Sequence, residues 1–164
     1  MIELFHHLLQ EQRFDEQGSR FYGAELLVLE NLHDLDVVHK DLKPENILLG
    51  YTGHIALCDF GLHALNTKDS DMTNTFYGTP EYLAPEILNG QGYNEAIYWW
   101  TLGVVLYEVL AGLPPFNDGS SSSVAFTDKM YKETPHNPSI FGDEISPLAP
   151  SILTGLLNLD PSQR

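Results

Sequence analysis

The apolar positions along the chain change period several times, and each change marks an element. Between residues 18 and 36, Phe21, Ala24, Val28, Leu32 and Leu35 recur at steps of three and four, which predicts a long helix with that face in the core. Gly23 inside it weakens the helix by about 1 kcal/mol relative to alanine. Ile47, Leu48 and Leu49 form a short apolar run, the turn residues GYTG follow at 50–53, and Ile55 to Cys58 forms a second run, which predicts a β-hairpin. Another helix is predicted from a cap at Asn94 through Leu102, Val105 and Val109, ended by GLPPF at 112–116. Trp99 and Trp100 near its start point to deep burial. NDGSSSS at 117–123 reads as a loop, and residues 134–150 hold too much proline for a continuous helix. A last amphipathic helix is predicted over 151–159, with Ile152, Leu153, Leu156 and Leu157 inward. The fold class expected is mainly α with a small β-hairpin sheet, in one domain over 1–164 without internal repeats.

Composition narrows the class. A chain of 164 residues with 43% hydrophobic content can bury a core and is not a disordered segment. No run approaches the roughly 18 consecutive apolar residues of a membrane span, and MIELFHHLLQEQ has neither a basic front nor a small-residue cleavage site. The expected compartment is cytoplasmic or nuclear. Cys58, without a second cysteine to pair with, agrees with reducing surroundings and reads as a small apolar strand residue. With 23 acidic and 8 basic residues the net charge is −15, which disfavours nucleic acid and anionic membranes and favours cationic partners.

The chemistry concentrates in HKDLKPEN at 39–46 and DFG at 59–61. Asp41 is a candidate general base, and Lys43 is a candidate to neutralise charge on a transferred phosphoryl group. Asn46 and Asp59 offer the hard oxygen atoms that Mg²⁺ prefers while it keeps water and bridges phosphates. Isolated aspartates are usually turn or cap residues; here the spacing, with a hairpin holding both ligands on one edge, favours chemistry. The remaining histidines, His6, His7, His33, His54, His63 and His136, are scattered without ligand spacing, so no zinc site is expected.

HKDLKPEN, DFG and GTPEYLAPE at 78–86, in this order, resemble the catalytic loop, metal-binding motif and activation-segment end of eukaryotic protein kinases. The wording is closest to the AGC group, in the branch of Akt, the serum/glucocorticoid-regulated kinases and their fungal relatives. YWWTLGVVLYEVLAGLPPF at 98–116 and LLNLDPSQR at 156–164 extend the resemblance over the whole chain.

The resemblance implies a C-terminal kinase lobe that transfers the γ-phosphate of ATP, with Mg²⁺, to serine or threonine in basic, arginine-rich peptides or proteins. It implies that Thr79 helps position the substrate hydroxyl and that Glu3, Glu45, Glu81 and Glu108 form the acidic cluster that recognises arginines. Leu48 falls in the apolar floor under adenine, with Glu3 and Glu45 also at the nucleotide-binding positions. Thr75 matches the site phosphorylated by an upstream activating kinase. Glu86 matches a structural carboxylate paired with Arg164, and His39 packs as a core histidine under the metal motif.

Departures from the pattern carry expectations too. Lys40 stands where the family has the arginine that grips the phosphate, replacing a bidentate fork by a point charge. Tyr98 stands where the family has an aspartate that anchors the catalytic loop, and His63, Ala64 and Tyr77 also differ. MIELFHHLLQEQRF resembles the helix that follows the hinge, so the glycine-rich loop, the strand lysine and its glutamate partner are expected to precede this chain. As an isolated lobe it is expected to be inactive and marginally stable. A pseudokinase or kinase-derived binding module, or a non-functional truncated gene fragment, are the alternative readings.

Overall fold

The structure is a computed structural model that describes residues 1–27, 37–39, 41–59, 64–65, 79–90, 96–116, 141 and 145–164, with the backbone alone at 37–38 and 64–65. Its centre is a helix, Ala96–Ala111 (α4), buried on nearly every side: Ile97, Tyr98, Trp100, Leu102, Val104, Val105, Tyr107, Val109 and Leu110 are all in the core. A helix apolar all round is a core helix, so the expected face of Leu102, Val105 and Val109 is only part of what is buried. Trp100 is fully buried and stacks on Phe116 with centroids 5.9 Å apart, whereas Trp99 is half-buried. The expected cap at Asn94 lies outside the described residues.

The helix predicted over 18–36 is seen as Glu16–Leu27 (α2); the rest of the predicted span, with Val28, Leu32 and Leu35, lies outside the described residues. Asp15 caps its start by accepting from the Gly18 amide at 2.7 Å. The buried stripe is Ser19, Gly23 and Leu26, not the face of Phe21 and Ala24, which are exposed. Close helix approach decides this: a β-carbon at Gly23 would sit 2.9 Å from Leu106 Cδ2 of α4. A small residue must face that neighbour, so Phe21 turns outward and lies against Tyr22 and His54. Gly103 of α4 serves the same purpose at a second contact, where a β-carbon would be 2.8 Å from Leu156 Cβ.

The last helix runs Leu148–Leu156 (α5), three residues earlier than expected. Pro150 sits in its first turn, where an amide hydrogen has no intrahelical acceptor to lose. Leu153 and Leu157 face the core, Leu156 is half-buried, and Ile152 is exposed, contrary to its expected inward position. The short helices are Leu4–Glu11 (α1), with Leu4 and Leu8 buried one turn apart, and Pro85–Leu88 (α3).

The hairpin forms with strands Ile47–Leu49 (β3) and Ile55–Leu57 (β4), in register Ile47↔Leu57 and Leu49↔Ile55. Cys58 lies just beyond the strand and is half-buried. Ile2–Glu3 (β1) adds to β3 antiparallel, giving the order β1-β3-β4. Val37–Val38 (β2) pairs with Ala64–Leu65 (β5) as a separate two-stranded sheet. The fold class is mainly α with a small antiparallel sheet, as expected. No described helix is long and apolar enough to cross a membrane.

Candidate active site

The loop from Asp41 to Asn46 is shaped by its proline. Pro44 begins a single 3₁₀ turn, Pro44–Asn46, in which the Asn46 amide donates to Lys43 O at 2.9 Å. Leu42, Pro44 and Asn46 are buried, which directs the side chains of Asp41 and Lys43 toward the half-buried face. Asn46 Nδ2 donates to Asp41 O at 2.7 Å and to Asp41 Oδ2 at 3.1 Å. Lys43 Nζ lies 2.9 Å from Asp41 Oδ2 and donates to Thr79 Oγ1 at 3.1 Å. Asp41, Lys43, Asn46 and Thr79 therefore form one connected polar group, although Thr79 is 36 residues beyond Lys43.

Asp59 follows the second strand of the hairpin by two residues. Cys58 N donates to Asn46 O at 3.0 Å, so the residue just before Asp59 is bonded to Asn46 across the base of the hairpin. Cys58 O accepts from His39 Nε2 at 3.0 Å, and His39 is buried. Asp59 itself has φ of 56°, a left-handed conformation that aspartate tolerates better than most residues. Its side chain is exposed. Among the described residues, the Asn46 side chain hydrogen-bonds through its nitrogen, so Oδ1 is the atom suited to a cation. An amide oxygen and a carboxylate on adjoining segments fit Mg²⁺, which takes few protein ligands and completes its shell with water and phosphate.

A second cluster lies beside the first. Glu108 of α4 is buried, and Tyr82 donates its hydroxyl to Glu108 Oε2 at 2.6 Å. Burial pushes the Glu108 carboxyl up to about 7; the Tyr82 hydrogen bond opposes this, and the nearby charges of Glu45 and Glu81 add to it. The Tyr82 hydroxyl is pushed far above its ordinary range, first by burial and then by Glu108, so it stays a donor. Glu45 Oε2 is buried without a hydrogen-bond partner among the described residues. Three carboxylates around one phenol make a strongly negative pocket that a cation would relieve. Tyr82 escaped sequence reasoning because a tyrosine after a glutamate carries no sign of which carboxylate it will meet.

The other expected site residues sit apart. Glu3 is exposed in β1 opposite Leu48, which is half-buried in β3. Glu86 in α3 and Arg164 form a buried bidentate pair, with Nη1 to Oε1 at 2.6 Å and Nη2 to Oε2 at 2.9 Å. Arg164 also donates to the carbonyls of Asn158 and Ala96 and lies 4.9 Å over the Trp100 ring. Tyr98, where the family has an aspartate, is buried and donates its hydroxyl to Leu26 O at 2.5 Å, tying α4 to α2. Thr75, Lys40, His63 and Tyr77, the rest of DFG beyond Asp59, and the loop at 117–123 lie outside the described residues.

Comparison with known proteins gives the same direction. The family model described as protein kinase domain matches residues 1–164. The chain is 59% identical over 163 residues to serine/threonine-protein kinase YPK1 of Saccharomyces cerevisiae, covering 99% of this chain and 23% of that protein. It is 55% identical to serine/threonine-protein kinase gad8 of Schizosaccharomyces pombe, with 99% and 28% covered. Serine/threonine-protein kinase Sgk1 of Fundulus heteroclitus is 48% identical, with 99% and 36% covered. The chain thus spans about a quarter of the length of the fungal relatives it matches. With its catalytic-loop group, hairpin and relatives all in agreement, the chain belongs to the protein kinase family, in the serine/threonine AGC group.

Proposed function

We propose that this chain supplies the catalytic-loop side of a site that transfers the γ-phosphate of ATP to serine or threonine in basic proteins. The observation that carries this reading is Lys43 Nζ placed between Asp41 Oδ2 and Thr79 Oγ1. A substrate hydroxyl arriving beside Thr79 meets a carboxylate able to accept its proton and an ammonium able to balance charge on the phosphoryl oxygens. Asn46 and Asp59 are the residues that would hold Mg²⁺, whose chemistry is to bridge and neutralise the phosphates. Glu3, Glu45 and Leu48 stand on the nucleotide side in this reading.

The pocket of Glu108, Glu45 and Glu81 is where an arginine of the substrate binds, since a guanidinium there would pair carboxylates that now repel one another. The chain's charge of −15 supports the same class of partner. Thr75 is the position at which an upstream kinase acts, and the compartment proposed is cytoplasmic or nuclear. Residues 1–164 tested alone are proposed to be inactive, because phosphate transfer also calls for a glycine-rich loop and a strand lysine that hold the nucleotide.

The test is a chimaera in which residues 1–164 replace their counterpart in a full-length relative. Radiolabelled phosphate transfer to an arginine-rich peptide, lost in Asp41→Asn, is the expected result. A chimaera that folds and binds ATP yet transfers no phosphate would overturn the reading. Transfer by residues 1–164 alone would overturn the proposed inactivity.

A further inference from the structure

The hairpin that carries Asn46 and Asp59 is short, and its outer strand is poorly buried: Ile55 and Leu57 are half-buried and Ala56 is exposed. Ile55 and Leu57 pack against the core only in part, so apolar contact alone leaves the outer edge of β4 open. A side chain from another element closes part of that edge. Glu25 of α2 accepts the Ile55 amide on Oε2 at 2.8 Å, occupying a donor on the strand edge that does not face β3. Its other oxygen, Oε1, pairs with Nδ1 of His54, the residue before the strand. The His54 ring lies 5.8 Å from that of Phe21, one turn before Glu25 on the same helix.

The support continues into the core. Gly23, two residues from Glu25, lets α2 sit against Leu106 of α4, and Tyr98 of α4 bonds to Leu26 O. From the buried central helix there is thus a continuous path through α2 and Glu25 to β4. At its far end stands Asp59 in a left-handed conformation, which persists only where its surroundings hold it. Cys58, beside it, is bonded to Asn46 and His39, so any slip of β4 is passed to both ligands.

We infer that Glu25 is a positioning residue for the metal-ligand pair, clasping the hairpin through His54 and Ile55 so that Asn46 and Asp59 hold a fixed spacing. Burial raises the Glu25 carboxyl, but the His54 and Ile55 hydrogen bonds and the His54 charge outweigh it, so the clasp is ionised at neutral pH. The inference rests on the reading of Asn46 and Asp59 as ligands, and its test separates the two.

Mn²⁺ alone, titrated into the purified chain and followed by electron paramagnetic resonance, is the probe, together with amide exchange at Ile55. Glu25→Ala is expected to weaken Mn²⁺ at least fivefold and to speed Ile55 exchange. Ser146→Ala, which removes a hydrogen bond to Glu16 at the other end of α2, is expected to leave Mn²⁺ affinity unchanged. Should Glu25→Ala not fold, Glu25→Gln serves: its oxygen still accepts from Ile55, so a smaller loss of two- to fivefold is expected. If Asp59→Asn abolishes Mn²⁺ binding while both Glu25 variants bind as the parent does, the clasp is structural only and the inference is wrong. If Asp59→Asn binds Mn²⁺ normally, the ligand reading fails and takes the inference with it.

Discussion

Tyr82 donates its hydroxyl to Glu108 at 2.6 Å in the interior, joining the activation-segment end to the central helix inside a ring of negative charge. Thr101 steadies the pair from below by donating to Tyr82 O at 3.3 Å and to Ile97 O at 3.0 Å. The geometry leaves a carboxyl that titrates near neutrality, and this has a measurable consequence.

Because burial raises the Glu108 carboxyl from 4.5 to about 7, the folded chain holds a proton there that the unfolded chain has released. Stability from this group is therefore greatest below about 4.5 and falls as pH rises to about 7, by an amount on the order of 3 kcal/mol. Urea unfolding at several pH values should show this slope, and Glu108→Gln should flatten it while being more stable than the parent above neutrality. An equal slope in both chains would refute the assignment.

The buried pair of Glu86 and Arg164 predicts an asymmetry between single and double replacement. Arg164→Met leaves an unpaired buried carboxylate and should cost about 3 to 5 kcal/mol, whereas the double change to apolar residues of similar volume should cost much less. Thermal unfolding of the four chains of this cycle supplies the coupling energy.

Helix packing predicts different tolerance at two glycines. Gly103→Ala drives a methyl group against Leu156 Cβ and should destabilise the chain by about 1 to 3 kcal/mol. Gly23→Ala meets only the flexible end of Leu106, and the gain of about 1 kcal/mol in helix propensity offsets the crowding, so its unfolding midpoint should barely move.

In the chimaera described above, Asp41→Asn should lower kcat by a factor on the order of 10² to 10⁴ with little change in KM for the peptide. Glu108→Gln should instead raise KM for an arginine-containing peptide and leave a peptide lacking that arginine unaffected. The reverse pattern of kcat and KM effects would exchange the two roles.

Local pattern alone predicted the hairpin, the central helix and the last helix, because turn residues and apolar period are properties of neighbouring positions. It also singled out Asp41, Lys43 and Asn46, which hydrogen bonds join within one loop, and Asp59, which follows the hairpin. Which face of α2 is buried was not legible. Phe21 is more apolar than Gly23, yet α4 comes so near that only the smaller residue fits. The Glu25 clasp and the Tyr82–Glu108 bond were likewise hidden, as each joins residues at least 26 positions apart. Sequence determined the family, the small sheet and the group of catalytic-loop residues, because their signal is local and their spacing is short. Tertiary structure decided which helix face is inward, where Thr79 meets Lys43 and which carboxyl is raised toward neutrality, because close approach and desolvation exist only once distant segments have packed.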